Sequence, residues 1–245
     1  MPVAVTPPAI TAKNSFLNMT PHQAKDHLFL RYTPLPSHPR YPNSLKLTPP
    51  DFDGTIFMQD TGHILFDAHG CGSAQRQKLD AQISSGERSF RDVSAELWGS
   101  LSIPFDDGFS VMEAALEIDP DFQTFHKFCI AQDIPFNVIS AGLKPVLRKV
   151  LDSFLGEEES RRIQIVANDA EFSESGEWKP VWRHDTELGH DKALSITEAR
   201  AEAELACDDG TIPLIVFIGD GVSDLPAARE ADVLFARRGL RLEEY

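Results

Sequence analysis

Leu214-Ile215-Val216-Phe217-Ile218 is an unbroken apolar run, and Gly219-Asp220-Gly221-Val222-Ser223-Asp224 follows it directly. A short apolar run rich in β-branched residues suits a fully buried strand, and the glycine-aspartate turn ends it. Beyond the turn the pattern predicts a helix over 225–230 and a second short strand over 233–235. Reading backwards, a helix over 192–205, a strand over 163–166, a helix over 145–155 and a strand over 135–139 continue the alternation. Such alternation predicts a parallel sheet covered by helices. Residues 171–172 and 178–182 flank Ser173-Glu174-Ser175-Gly176-Glu177 and predict a small hairpin with a glycine-containing turn. Further upstream the texture changes. From about 73 to 131 apolar residues recur at three- and four-residue spacings, which predicts helices over 74–84, 90–101, 108–116 and 122–131.

In an open parallel sheet, ligands gather at the carboxyl ends of the strands. Four segments occupy such positions or start a helix beside them: Asp51-Phe52-Asp53-Gly54-Thr55-Ile56, Ser140-Ala141-Gly142, Lys192, and Gly219 through Asp224. Taken singly each has an ordinary reading, as a turn, a strand-end hydroxyl, a solvated lysine or a helix cap. A calcium-loop reading of the first fails, because Thr55 and Ile56 stand where that loop needs a ligand and a glycine.

Taken together, in this order and spacing, the four segments resemble the four motifs of the haloacid-dehalogenase-like superfamily of aspartate-nucleophile hydrolases, over about 51–236. The phosphoserine-phosphatase-like branch is the nearest, with the 2-hydroxy-3-keto-5-methylthiopentenyl-1-phosphate phosphatases and fungal-type phosphatases similar to them. Ser89-Phe90-Arg91-Asp92 and Gly189-His190-Asp191-Lys192 are especially similar to that last group. The resemblance implies an α/β fold: a Rossmann-like parallel sheet with helices on both faces and a helical cap inserted after the first strand. It divides the chain into a proline-rich arm at 1–44, expected to be disordered, a core at 45–56 and 117–245, and a cap at 57–116.

The implied activity is magnesium-dependent hydrolysis of a small phosphorylated metabolite through an aspartyl phosphate. Asp51 would be the nucleophile and Asp53 the acid and base, since a carboxylate two residues on in an extended dipeptide reaches the same strand end. Thr55, Ser140, the Ala141 backbone N–H and Lys192 would hold the phosphoryl oxygens. Asp51, the Asp53 main-chain carbonyl, Asp220 and, further out, Asp224 would hold Mg2+. Asp60 and Arg91 are the candidates for substrate contact in the cap.

Composition agrees with a locally built phosphate site. The net charge of −15 speaks against a nucleic-acid partner. Cys71, Cys129 and Cys207 form neither a disulfide framework nor a zinc pattern. No segment reads as a secretory signal or a membrane span, so a cytoplasmic protein is expected. The oligomeric partner is not legible. One feature sits badly: Pro49-Pro50 precedes Asp51 where a central strand is expected, and proline cannot donate to a ladder. A short first strand and an early stop at Tyr245 keep open the alternative of an inactive binding protein, and the same aspartyl phosphate would permit a phosphotransferase of the same fold.

Overall fold

The computed structural model describes residues 46–47, 49–206 and 214–245. The arm expected at 1–44 and Cys207 lie outside these residues.

The sheet is built around the segment that looked least suited to it. Among the described residues strand β1 is Lys46–Leu47, and it pairs in parallel with β5, Leu214–Gly219. The Pro50 carbonyl accepts from Ile139 N at 3.0 Å, and Asp51 N donates to Ile218 O at 2.8 Å. Successive residues of a strand face opposite neighbours, so each proline removes one donor, Pro50 towards the Ile139 side and Pro49 towards β5. The ladder is thinned to a single bridge at Pro50, yet Asp51 still hangs from the sheet by its own N–H.

On one side of this segment β5 pairs with the edge strand β6, Val233–Ala236. On the other, β2 (Asn137–Leu143) pairs in parallel with β3 (Gln164–Phe172), and β4 (Trp178–Val181) returns antiparallel. The expected strand at 163–166 and the first arm of the hairpin are one continuous strand. The β2–β3 register slips between Ile139 and Leu143, which lifts Ser140-Ala141-Gly142 out of the ladder at the strand end.

Helices follow in the expected places, with two additions, at 61–69 and 157–160. Helix α1, Thr61–His69, precedes α2 (Ser73–Ser84), α3 (Phe90–Gly99) and α4 (Phe105–Ala115). Its apolar residues Ile64, Leu65 and Phe66 are contiguous rather than spaced, so periodicity alone did not announce it. Its start is nevertheless chemically marked, since the Asp60 side chain accepts from His63 N at 2.8 Å as an N-cap. Then come α5 (Phe122–Ala131), α6 (Lys144–Leu155), the short α7 (Glu157–Ser160), α8 (Lys192–Ala206) and α9 (Leu225–Glu230). Among the described residues, none of these helices is long and apolar enough to cross a membrane.

Aromatic packing ties α1, α3 and α4 to the β3–β4 hairpin. Trp178 stacks on Trp98 at 5.8 Å and meets Phe172 edge-on at 4.8 Å, while Phe66 meets the other indole at 4.8 Å. The Trp178 indole N–H donates to Ile103 O at 2.8 Å, so its polar edge is satisfied in the core. Burial of one such indole contributes about 3–5 kcal/mol. The helices thereby stand over the carboxyl end of the sheet.

Candidate active site

Three strand ends and one helix start converge on Lys192. Its ammonium is buried, 2.8 Å from Asp51 Oδ1 and 2.6 Å from Asp224 Oδ1. Burial works against this charge, but the two carboxylates outweigh it and hold the lysine above its ordinary value. Asp224 has no exposed surface, and its other oxygen, Oδ2, accepts from Asp220 N and Gly221 N at 3.0 Å each. Both Asp224 oxygens are therefore engaged in fixing the lysine and the turn after β5.

Asp51 is buried beside this pair. Burial, then the neighbouring Asp224, push its carboxyl well above the usual range, against the pull of Lys192. Asp220 is raised likewise by burial and by Asp224. Its Oδ1 accepts from the Thr55 hydroxyl at 3.0 Å, so Thr55 touches a carboxylate here. Three carboxylates offer oxygens within 4.8 Å of one another, with one lysine among them. This excess of hard anionic oxygen fits a divalent cation of the magnesium type. Asp51 and Asp220 are the two with capacity to spare.

Asp53 points the other way. Its Oδ1 accepts from Thr61 N at 2.8 Å and its Oδ2 from the Thr61 hydroxyl at 3.2 Å, at the start of α1. Burial first, and then Asp60, push its carboxyl up to about 8, against those hydrogen bonds. Gly54, directly after Asp53, has φ +76°, and a Cβ there would sit 2.3 Å from Asp220 Oδ2. Only glycine meets both demands.

Ser140 is buried, and its Oγ accepts from Gly142 N at 3.0 Å. Two residues that sequence reading passed over hold this loop. The Asn168 amide donates to Ala141 O at 2.8 Å and accepts from Arg183 N at 3.0 Å. His190 bridges the Ser140 carbonyl at 2.6 Å and the Ser195 hydroxyl at 2.8 Å. Proximity of Gly189-His190 to Lys192 was the available signal, but a lone histidine is more often a packing residue.

Burial is the main reason the His190 imidazole is held down to about 3, with Lys192 and His184 adding to it and the Ser140 carbonyl opposing. The neutral ring donates from Nδ1 to Ser140 and accepts from Ser195. A folded value below the unfolded one, about 6.5, means that the unfolded chain binds the extra proton, so stability falls as pH drops from 6.5 towards 3. Between pH 6.5 and 4.5 this group alone is expected to remove about 2–3 kcal/mol. Urea melts at both pH values should show His190→Gln less pH-sensitive by that amount; equal pH dependence in variant and wild type would contradict this.

Asp51, Asp53, Ser140, Ala141, Lys192 and Asp220 line one cavity of about 260 Å³, which extends up among α1, α2 and α3 past Asp60. Arg91 is not among its lining residues. Its guanidinium pairs with Asp185 at 2.7 Å and lies 5.9 Å from the Trp182 ring centre, and the Arg91 backbone N–H donates to Glu187 O at 2.8 Å. It thus fastens the start of α3 to the loop before Lys192.

Asp51 and Lys192 thus meet at the carboxyl end of the parallel strands. The chain belongs to the haloacid dehalogenase-like hydrolase family, whose model matches residues 50–229. It is 40% identical over 195 residues to Pdp3-interacting factor 1 of Schizosaccharomyces pombe, covering 80% of this chain and 83% of that protein. It is 34% identical to a polyol phosphate phosphatase of Saccharomyces cerevisiae (80% and 81% covered). Identity to a 2-hydroxy-3-keto-5-methylthiopentenyl-1-phosphate phosphatase of Bacillus mycoides is 28% (76% and 81% covered). A substrate-bound phosphoserine phosphatase structure superposes with a TM-score of 0.59 at 15% identity, covering 79% of this chain and 86% of that one, which shows the shared fold. The chain is an enzyme of the phosphatase class within this family.

Proposed function

We propose that the protein hydrolyses the phosphomonoester of a small metabolite through an aspartyl phosphate on Asp51. The observation that carries this reading is Asp51, Asp53, Ser140 and Lys192 lining one cavity. An Asp51 oxygen attacks phosphorus, the bond to the leaving oxygen breaks, and Asp53 delivers a proton to that oxygen. Water then attacks the same phosphorus, Asp53 takes its proton, and Asp51 is regenerated with release of inorganic phosphate. Ser140, the Ala141 N–H and Lys192 hold the phosphoryl oxygens through both steps. Asp51, Asp220 and the Asp53 main-chain carbonyl would hold Mg2+, with Asp224 bracing the turn from outside. When bound, the ion offsets the negative charge of carboxylates and phosphate. Residues 57–116 act as the cap that keeps bulk water from the site.

The relatives named for polyol phosphate and for 2-hydroxy-3-keto-5-methylthiopentenyl-1-phosphate support a phosphorylated small metabolite as substrate. A phosphate-release screen over such metabolites, with magnesium and with chelator, tests the reading. Release is expected with magnesium and should fall to background with chelator. Activity indifferent to chelator would remove the metal, and release from no phosphomonoester would remove the reading.

A further inference from the structure

Asp220 sits in a turn whose backbone is fastened from two directions. On one side Asp224 accepts from Asp220 N and Gly221 N. On the other the chain comes back after β6, where Arg237 N donates to Gly219 O and Leu242 N to Asp220 O, each at 2.9 Å. Leu242 is seated there by its buried side chain, within a tight helical turn at Arg241–Glu244. Both main-chain polar groups of Asp220 are therefore engaged, one from each side.

The Asp220 side chain is fixed by a different loop, and residue 237 holds that loop too. The carboxylate rests against Gly54, where a Cβ would stand 2.3 Å from Oδ2, and its Oδ1 accepts from the Thr55 hydroxyl. Behind this turn the Arg237 guanidinium donates to Gly54 O with one arm and meets the Met58 sulfur with the other. Met58 N in turn donates to Glu117 O at 2.9 Å and Asp119 N to Ile56 O at 2.8 Å, so the two connections between core and cap run side by side next to this grip. Arg237 thus ties together the turn after β5, the loop after Asp53 and the base of the cap.

Arg237 is not among the residues lining the cavity, so its side chain does not meet a substrate there. Its charge alone would work against a dication. Burial is the main upward push on the Asp220 and Asp119 carboxyls, and this guanidinium opposes it in both. A cation that favours the ionised carboxylate in this way also repels Mg2+. Any help it gives to metal binding therefore comes through geometry.

On the phosphatase reading above, in which Asp220 holds Mg2+, we propose that Arg237 is a positioning residue for the metal site. It locks the Gly54-Thr55 turn against the Gly219-Asp220 turn, so the Asp220 carboxylate is already aimed when the ion arrives. Without the lock, binding the ion must first order both turns. The loss then falls on Mg2+ affinity and not on contact with substrate.

The test follows Mg2+ on the full chain by two readouts, the rise in melting midpoint and phosphate release from p-nitrophenyl phosphate. Arg237→Met should need about tenfold more Mg2+ for half of either response. Its KM for p-nitrophenyl phosphate at saturating Mg2+ should stay within about twofold of wild type. Arg237→Lys keeps a donor for Gly54 O, and its Mg2+ requirement should stay within about threefold. Leu242→Ala leaves Arg237 in place but withdraws the anchor of the bond to Asp220 O, and should need about threefold more Mg2+. A lower melting midpoint in Arg237→Met with an unshifted Mg2+ requirement would make the residue merely structural and overturn the proposal. A tighter Mg2+ response, the sign expected of charge alone, would overturn it as well, as would equal losses in Arg237→Lys and Arg237→Met. Should Arg237→Met fail to fold, an Mg2+ requirement unmoved in Leu242→Ala overturns the proposal and a raised one supports it. If wild type shows neither an Mg2+-dependent midpoint nor Mg2+-dependent release, the metal reading fails and the proposal with it; a wild-type response that Arg237→Met shares sinks the proposal alone.

Discussion

Asp51→Asn is expected to lower phosphate release by on the order of 10⁴-fold or more while leaving the fold intact. The amide keeps the shape of the carboxyl but cannot form an acyl phosphate. The effect on stability should run the opposite way. Asp51 is buried against Asp224 and Asp220, and its carboxyl is raised well above the usual range. A carboxyl whose folded value is raised binds its proton more readily in the folded state. Its ionisation therefore costs stability as pH rises through the unfolded value, and that cost is present at neutral pH. Removing the charge relieves it. In chelator-treated protein the midpoint of thermal unfolding should stay level or rise, by about 2–4 °C for each kcal/mol relieved. Phosphate release and a melt on the same sample check both halves. Residual turnover within about tenfold of wild type would displace Asp51 as nucleophile.

Lys192→Met should produce the opposite stability result. The side chain is of similar length, yet it leaves Asp51 and Asp224 facing one another without the ammonium that now stands 2.8 and 2.6 Å from them. Breaking a buried pair by removing one partner costs about 3–5 kcal/mol. For a chain of this size that lowers the melting midpoint by roughly 10 °C. Turnover should fall by about 10²–10³-fold, the usual consequence of losing one donor to a transferring group. Adding Asp224→Asn to Lys192→Met should recover part of the stability and none of the turnover. Should the single variant melt like wild type, Lys192 would not be the keystone of this acidic cluster.

The inactive-protein alternative left open by the sequence rested in part on Pro49-Pro50. Each proline withholds one ladder donor, leaving a bridge at Pro50. They do so without releasing Asp51, because the missing donors belong to Pro49 and Pro50 themselves. The donor that matters is on Asp51, and it reaches Ile218.

What the sequence determined by itself is the alternation of buried strands and helices after 135, the helical texture before it, and the four segments that meet at the sheet's carboxyl end. These are local properties: apolar period, β-branching and turn residues act over a few positions, so they are legible one window at a time. Tertiary structure alone decided what each polar side chain faces. Asp53 turns to Thr61, Asp224 closes on Lys192 and the turn after β5, and Arg91 meets Asp185, 94 residues away. His190 supports Ser140 from 50 residues further along the chain. The physical reason is that a side chain's partner depends on where distant backbone comes to rest and on the direction each Cβ then points, and neither is written in the spacing of residues along the chain.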